Sequence, residues 1–252
     1  MQDFLRRAQV AASSTLSAMS DAASSTATII SSYVSTSRLP TEQESAVALR
    51  VRVRMQTQYD AAVPQHAALL SQLEKACDGV AWQLVGFQSP NPATDFRGGG
   101  VLSLENLVYF VTRQPAQALS MMHRRKDRSI GATADGVDSA NYPWAAVGIN
   151  ITRMVAELIG ACTAQGTMPK QQQPRKNWSF LLQPDAFERL YCNAFFIFDN
   201  EWDRMKAGYL QTPAVLAATR ERVLQLWQSC ATMEELESRV RAECPQDFLA
   251  VW

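Results

Sequence analysis

The sequence is short of the residues on which most enzymes are built. It has two histidines, His66 and His123, and five scattered cysteines, Cys77, Cys162, Cys192, Cys230 and Cys244. There is no CxxC pair and no Cys/His cluster, so no metal site is expected. Neither histidine stands in a setting that suggests a nucleophile–histidine–acid triad. No GxxxxGKS/T occurs, so the glycine run at 98–100 is not a nucleotide P-loop, and HExxH and GxSxG are missing as well. Charge is also scarce: 19% of residues are charged, the formal net charge is zero and the pI is about 6.7. A nucleic-acid binder would usually be basic, so no nucleic-acid partner is expected, although local patches stay open. No apolar run approaches the roughly 20 residues needed to cross a bilayer. Alternating β-branched runs and internal repeats are lacking too, which excludes an obvious sheet or solenoid. This inventory disfavours a self-contained enzyme and calls for no cofactor.

The odd cysteine count fits a reducing compartment, with the thiols buried and unreactive. A cytoplasmic protein is therefore expected. What the sequence has in quantity is apolar residues, 47% of 252, enough for a sizeable core. They recur at helical spacing. Thr41 and Glu44 form a capping-box pair behind Pro40 and open a helix to about Gln58. Leu69, Leu70, Leu73, Ala76 and Cys77 mark a second helix, ending near Asp78-Gly79. Val147, Ile151, Met154, Val155, Leu158, Ile159 and Cys162 form a continuous buried stripe on a helix opened by Asn141 and Pro143. Arg153 and Glu157 are one turn apart on its polar side and read as a structural ion pair. Asp185 and Glu188 resemble another cap, before an aromatic stripe of Phe187, Tyr191, Phe195, Phe198 and Trp202. Two further helices start at Thr212-Pro213 and at Thr232. The expected fold is all-α: a single compact domain of roughly eight to ten helices over residues 38–252, behind an extension at 1–37.

The chain is organised around residues 82–110, WQLVGFQSPNPATDFRGGGVLSLENLVYF. Pro90, Pro92 and the glycines make its middle a loop between packed elements. Ser103 reads as the N-cap of the following helix, with Glu105 in its first turn. One cation, Arg97, sits in the loop, two residues after Asp95 and directly before Gly98, Gly99 and Gly100. Such a loop suits binding or catalysis. Asp95 either aims the guanidinium or simply pairs with it, and Arg97 capping carbonyls of its own loop is the purely structural alternative.

This stretch, from Trp82 through Gly86-Phe87-Gln88, Pro92, Thr94-Asp95-Phe96-Arg97-Gly98 and Leu107 to Tyr109-Phe110, resembles the signature of the ELMO domain. Tyr142-Pro143 through Gly148-Ile-Asn150 and Thr152-Arg153-Met154 is a second region of likeness. In single-domain members of that family the motif carries an arginine associated with GTPase-activating activity on Arf and Arf-like GTPases. The multidomain scaffolds that pair with DOCK-type exchange factors lack it. Arg97 occupies its position here. The resemblance thus implies a GTPase activator that supplies Arg97 in trans as an arginine finger, with Asp95, Gly98, Gly99 and Gly100 positioning the loop and a GTP-bound Arf-family or Arf-like GTPase as partner. A non-catalytic helical scaffold for a GTPase or an exchange factor is the alternative. Two positions depart from the family pattern: Gly99, where many relatives have a bulky residue between two glycines, and Ser103, where small glycine-like residues are common.

Two segments bear on location and docking. His123, Arg124, Arg125, Lys126 and Arg128 form a basic cluster, readable as a solvated helix end or as a docking patch for an acidic GTPase face or anionic lipid. Residues 1–37 are rich in Ser, Thr and Ala. They read as a poorly ordered extension, an interfacial helix or a transit peptide, so peripheral contact with an organelle membrane stays open.

Overall fold

The computed structural model describes residues 37–127 and 141–248, with the side chains of residues 125–127 and 246–247 excepted. The readings of the N-terminal segment and of Arg128 therefore lie outside the described residues, as do those of the Arg125 and Lys126 side chains. Among the described residues there are ten α-helical segments and no strand. The chain divides into a small unit, Met1–Leu39 with Pro174–Lys176, and a large one, Pro40–Gln173 with Asn177–Trp252. In the small unit Arg38 and Arg175 exchange backbone hydrogen bonds of 3.1 and 2.9 Å, an isolated antiparallel bridge.

The large unit is the helical domain. Helix α1 is Glu42–Gln56 and begins with the expected capping box: the Glu44 N–H donates to the Thr41 hydroxyl, and the Thr41 N–H to the Glu44 carboxylate. Helix α2, Pro64–Ala76, ends where Asp78 and Gly79 both take positive φ, so the chain reverses there. Helix α3, Trp82–Val85, is one turn; α4 is Gly100–Arg113 and α5 is Pro115–Asp127. Then follow α6, Trp144–Leu158, and α7, Ala186–Arg204, and after them α8, Thr212–Ser229, α9, Met233–Glu243, and the short α10, Pro245–Phe248.

Helices α4, α6 and α7 meet at Phe110. Its ring lies 5.9 Å from that of Trp144, 5.1 Å from Phe195 and 5.3 Å from Phe196. Each fully buried aromatic of this kind contributes about 1.5–3 kcal/mol by leaving water. The stripes read on α6 and α7 are buried as their spacing required, and Arg153 pairs with Glu157 at 3.4 Å. The helix carrying the glycine run at its start is thereby anchored to the centre of the core.

Two expected caps are not formed. Helix α4 starts three residues before Ser103, at Gly100, with Gly99 as N-cap and no side-chain cap. A carbonyl from α1's end replaces it: the Val101 N–H donates to the Thr57 carbonyl at 2.8 Å. Ser103 is instead fully buried inside the helix. At α7, Asp185 takes φ 52 and makes no cap bond. Glu188, read as a capping partner of Asp185, and Glu105, read as a first-turn charge, converge instead on Arg54 of α1, at 2.8 and 2.7 Å. Burial works against the Arg54 charge, but the two carboxylates outweigh it and hold its pKa above the ordinary value.

Candidate functional site

The segment between α3 and α4 is short and tied down along its length. It leaves α3 through Gly86 at φ 99, so close to α6 that a Cβ would stand 2.4 Å from the Trp144 nitrogen. The Gly86 carbonyl accepts from the Ala146 N–H at 3.2 Å. Phe87 then turns inward and meets Phe96 edge-on at 5.9 Å, and Tyr59 covers Phe96 from the other side at 5.8 Å. What was read as open loop is in its second half a 3-10 helix, Pro92–Gly98. Asn91 starts it, its side-chain oxygen accepting from the Ala93 N–H, behind a proline that pre-sets φ. This Asn-Pro signal was visible in the sequence.

Asp95 and Arg97 are not paired. The Asp95 carboxylate accepts from the Gln88 N–H at 2.7 Å and from the Thr94 hydroxyl at 3.3 Å, which ties the turn to its own entry. Arg97 donates through Nε to the Thr94 carbonyl at 2.7 Å. Its side chain is exposed, and its two terminal nitrogens have no hydrogen-bond partner among the described residues. The neighbouring Phe96 is 1% exposed. The guanidinium is thus directed outward by one contact, on a turn whose adjacent residue is a core side chain. Gln88 and Thr94 enter the sequence reading only as signature residues, and Tyr59 is not singled out there, because nothing local marks them as supports.

The three glycines have different work. Gly98 is exposed, and a Cβ there would touch nothing nearer than the Ile149 methyl at 4.0 Å. Gly99 is buried, and a Cβ would stand 2.2 Å from the Ser103 oxygen. Gly100 has φ +59, and its Cβ would stand 2.3 and 2.5 Å from the Met55 and Thr57 carbonyl oxygens. A side chain at position 99 would therefore occupy the space that Ser103 fills here.

The basic cluster is split. Arg124 is committed inward, its Nη2 donating to Asp199 at 2.6 Å and its Nη1 to the Ser120 hydroxyl. Asp199 is fully buried and also accepts from the Tyr142 hydroxyl at 2.5 Å. Arg124 lies near the end of α5 and Tyr142 just before α6, so one carboxylate on α7 holds both. This removes Arg124 from the expected docking patch: a buried carboxylate needs a cation more than the surface does. Arg124→Ala should lower stability by about 3 kcal/mol, because it takes a cation from a buried carboxylate. In a chain of this size that is a fall in Tm of roughly 6–12 °C. Chemical and thermal denaturation check it; a change within about 0.5 kcal/mol would return Arg124 to the solvated surface.

The described cysteines are all buried. Burial, with Asp78 adding to it, pushes the Cys77 thiol up to about 11, and burial raises Cys192 well above its ordinary value. Neither is a nucleophile near neutral pH. Among the described residues no three His, Cys, Asp or Glu side chains are grouped to hold a metal, and no helix is long and apolar enough to cross a membrane.

The geometry defines an all-helical domain that offers one outward arginine on a turn fastened to its core. The ELMO/CED-12 family profile matches residues 49–216, more than half of the chain, and the chain belongs to that family. It is 34% identical over 131 residues to ELMO domain-containing protein B of Dictyostelium discoideum, covering 50% of this chain and 37% of that protein. It is 25% identical over 218 residues to ELMO domain-containing protein C of the same organism, covering 79% and 32%. With human ELMO domain-containing protein 2 it shares 31% identity over 126 residues, covering 48% and 36%. The chain spans less than half the length of these relatives.

Proposed function

We propose that this chain is a GTPase-activating protein for an Arf-family or Arf-like small GTPase, with Arg97 inserted beside the bound GTP. It is then a regulator of a partner enzyme and needs no cofactor of its own. The observation that carries the reading is the state of Arg97: exposed, aimed by Thr94, and with both terminal nitrogens open. GTP hydrolysis spreads negative charge over the transferring phosphoryl oxygens. An arginine delivered in trans stabilises that charge and raises the rate by about 10³ to 10⁵. A guanidinium suits this because it is planar, always charged and weakly hydrated, so it gives up little on entering a dry site. Gly98 beside it allows close approach of the partner backbone.

The test is single-turnover GTP hydrolysis by a panel of GTP-loaded Arf-family and Arf-like GTPases, with and without the full chain. Acceleration of one or a few members is expected. Binding without acceleration would favour the scaffold, and neither binding nor acceleration across the panel would remove the GTPase reading altogether. The proposal places the protein where such GTPases work, in the cytoplasm with peripheral contact to an organelle membrane.

A further inference from the structure

The turn bearing Arg97 offers little surface of its own to hold a partner, and the structure supplies more beside it. Helix α1 ends against the start of α4, where the Thr57 carbonyl accepts from Val101 and the Met55 carbonyl abuts Gly100. One turn before Thr57, Val53 is 58% exposed, and one turn before that Leu49 is 54% exposed. The spacing stacks the two on one outward face. Leu182, 49% exposed, stands on the 3-10 helix Trp178–Leu182, which packs against α1. Arg50, next to Leu49, is exposed and has no ion pair or hydrogen bond among the described residues.

A large exposed Leu–Val pair on a helix that is otherwise well partnered is costly to leave in water. The other cations of α1 are half-buried and spent: Arg54 on two carboxylates, Arg52 on the carbonyls of Ala161 and Gly166. On α1 and the turn, two exposed cations are left without an ion pair among the described residues: Arg50 beside the apolar pair, and Arg97 on the turn that leads into α4. These cations fit a partner with an apolar centre and negative charge around it, including a bound triphosphate that Arg97 would meet.

We propose that the outward face of α1, with Leu49 and Val53 as apolar anchors and Arg50 as flanking cation, is the docking surface for the GTP-bound GTPase, while Arg97 contributes in the transition state. This rests on the reading of Arg97 given above. Ground-state binding and catalysis are then carried by different residues, so they separate in kinetics.

The experiment titrates the full chain against whichever Arf-family or Arf-like GTPase it stimulates, in single-turnover hydrolysis, and reads the half-saturating concentration and the limiting rate. The Leu49→Asp/Val53→Asp variant should raise the half-saturating concentration by about tenfold or more, as loss of central interface anchors does. Its limiting rate and Tm should stay at wild-type values. Arg50→Glu should shift the same quantity less and weaken its dependence on salt, since an attractive charge is lost. Leu210→Asp is the control, since Leu210 is 87% exposed on a different turn, before α8. An unchanged half-saturating concentration in the double variant overturns the docking surface while leaving the activator reading intact. An equal effect of Leu210→Asp overturns it also, as a general effect of added charge. If the wild-type chain stimulates no GTPase, both proposals fall together.

Discussion

Arg97→Ala is expected to slow stimulated GTP hydrolysis by about 10³ while the GTPase still binds. Loss of a contact made only in the transition state lowers the limiting rate and leaves the half-saturating concentration in place. The fold should not notice the change. Arg97 is exposed and gives its own structure one hydrogen bond, to the Thr94 carbonyl, which a water molecule can replace. A bond of that kind contributes about 0.5–1.5 kcal/mol at most. Arg97→Lys should recover little, because an ammonium has no Nε to seat on Thr94 and no fork to span two phosphoryl oxygens. Single-turnover hydrolysis with Tm measured in parallel decides. Wild-type rates in Arg97→Ala would sink the mechanism and leave a scaffold. Matched losses of rate and of Tm would make Arg97 a residue of its own turn.

The parts of this molecule legible from sequence are those whose causes are local. The Thr41–Glu44 box, the α6 stripe and the aromatic stripe of α7 each depend on residues a few positions apart, and each is where its spacing put it. The errors fall where a distant residue took over a local task. Ser103 is a plausible cap until the Thr57 carbonyl satisfies the orphan N–H of Val101. Glu105 looks like a dipole-complementing charge and Glu188 like a capping partner until Arg54 draws both. Arg124 looks like surface until Asp199, 75 residues away, claims it. Arg97 itself could be singled out because it is the one cation among prolines and glycines. Asp95 is legible as a positioning residue of its loop, but its partner Gln88, and Thr94 as the acceptor for Arg97, emerge only once the turn is folded.

The same distinction predicts opposite behaviour for two glycines that look alike in sequence. Gly100→Ala should be among the most damaging single substitutions in the chain, at about 4 kcal/mol or more, since strain at a special backbone position adds to a steric clash. Its φ of +59 costs a side chain about 1–2 kcal/mol before any contact is counted. The new Cβ would then meet the Met55 and Thr57 carbonyl oxygens at 2.3 and 2.5 Å. Those oxygens cannot simply move away, because the Thr57 carbonyl accepts the N–H that opens α4. Relief requires α1 and α4 to part, which also shifts the Arg97 turn that leads into α4. Stability and stimulated hydrolysis should therefore fall together in Gly100→Ala. Gly98→Ala meets open space and an unstrained φ, so its Tm should match the wild type. Any loss it shows should appear in GTPase stimulation alone, from a methyl group placed where a partner backbone approaches. Urea denaturation of both variants, beside the hydrolysis assay, separates the two roles. A stable Gly100→Ala would mean that the junction of α1 and α4 is looser than its geometry requires. A Gly98→Ala that unfolds would mean that the exposed glycine belongs to the scaffold and not to the partner-facing surface.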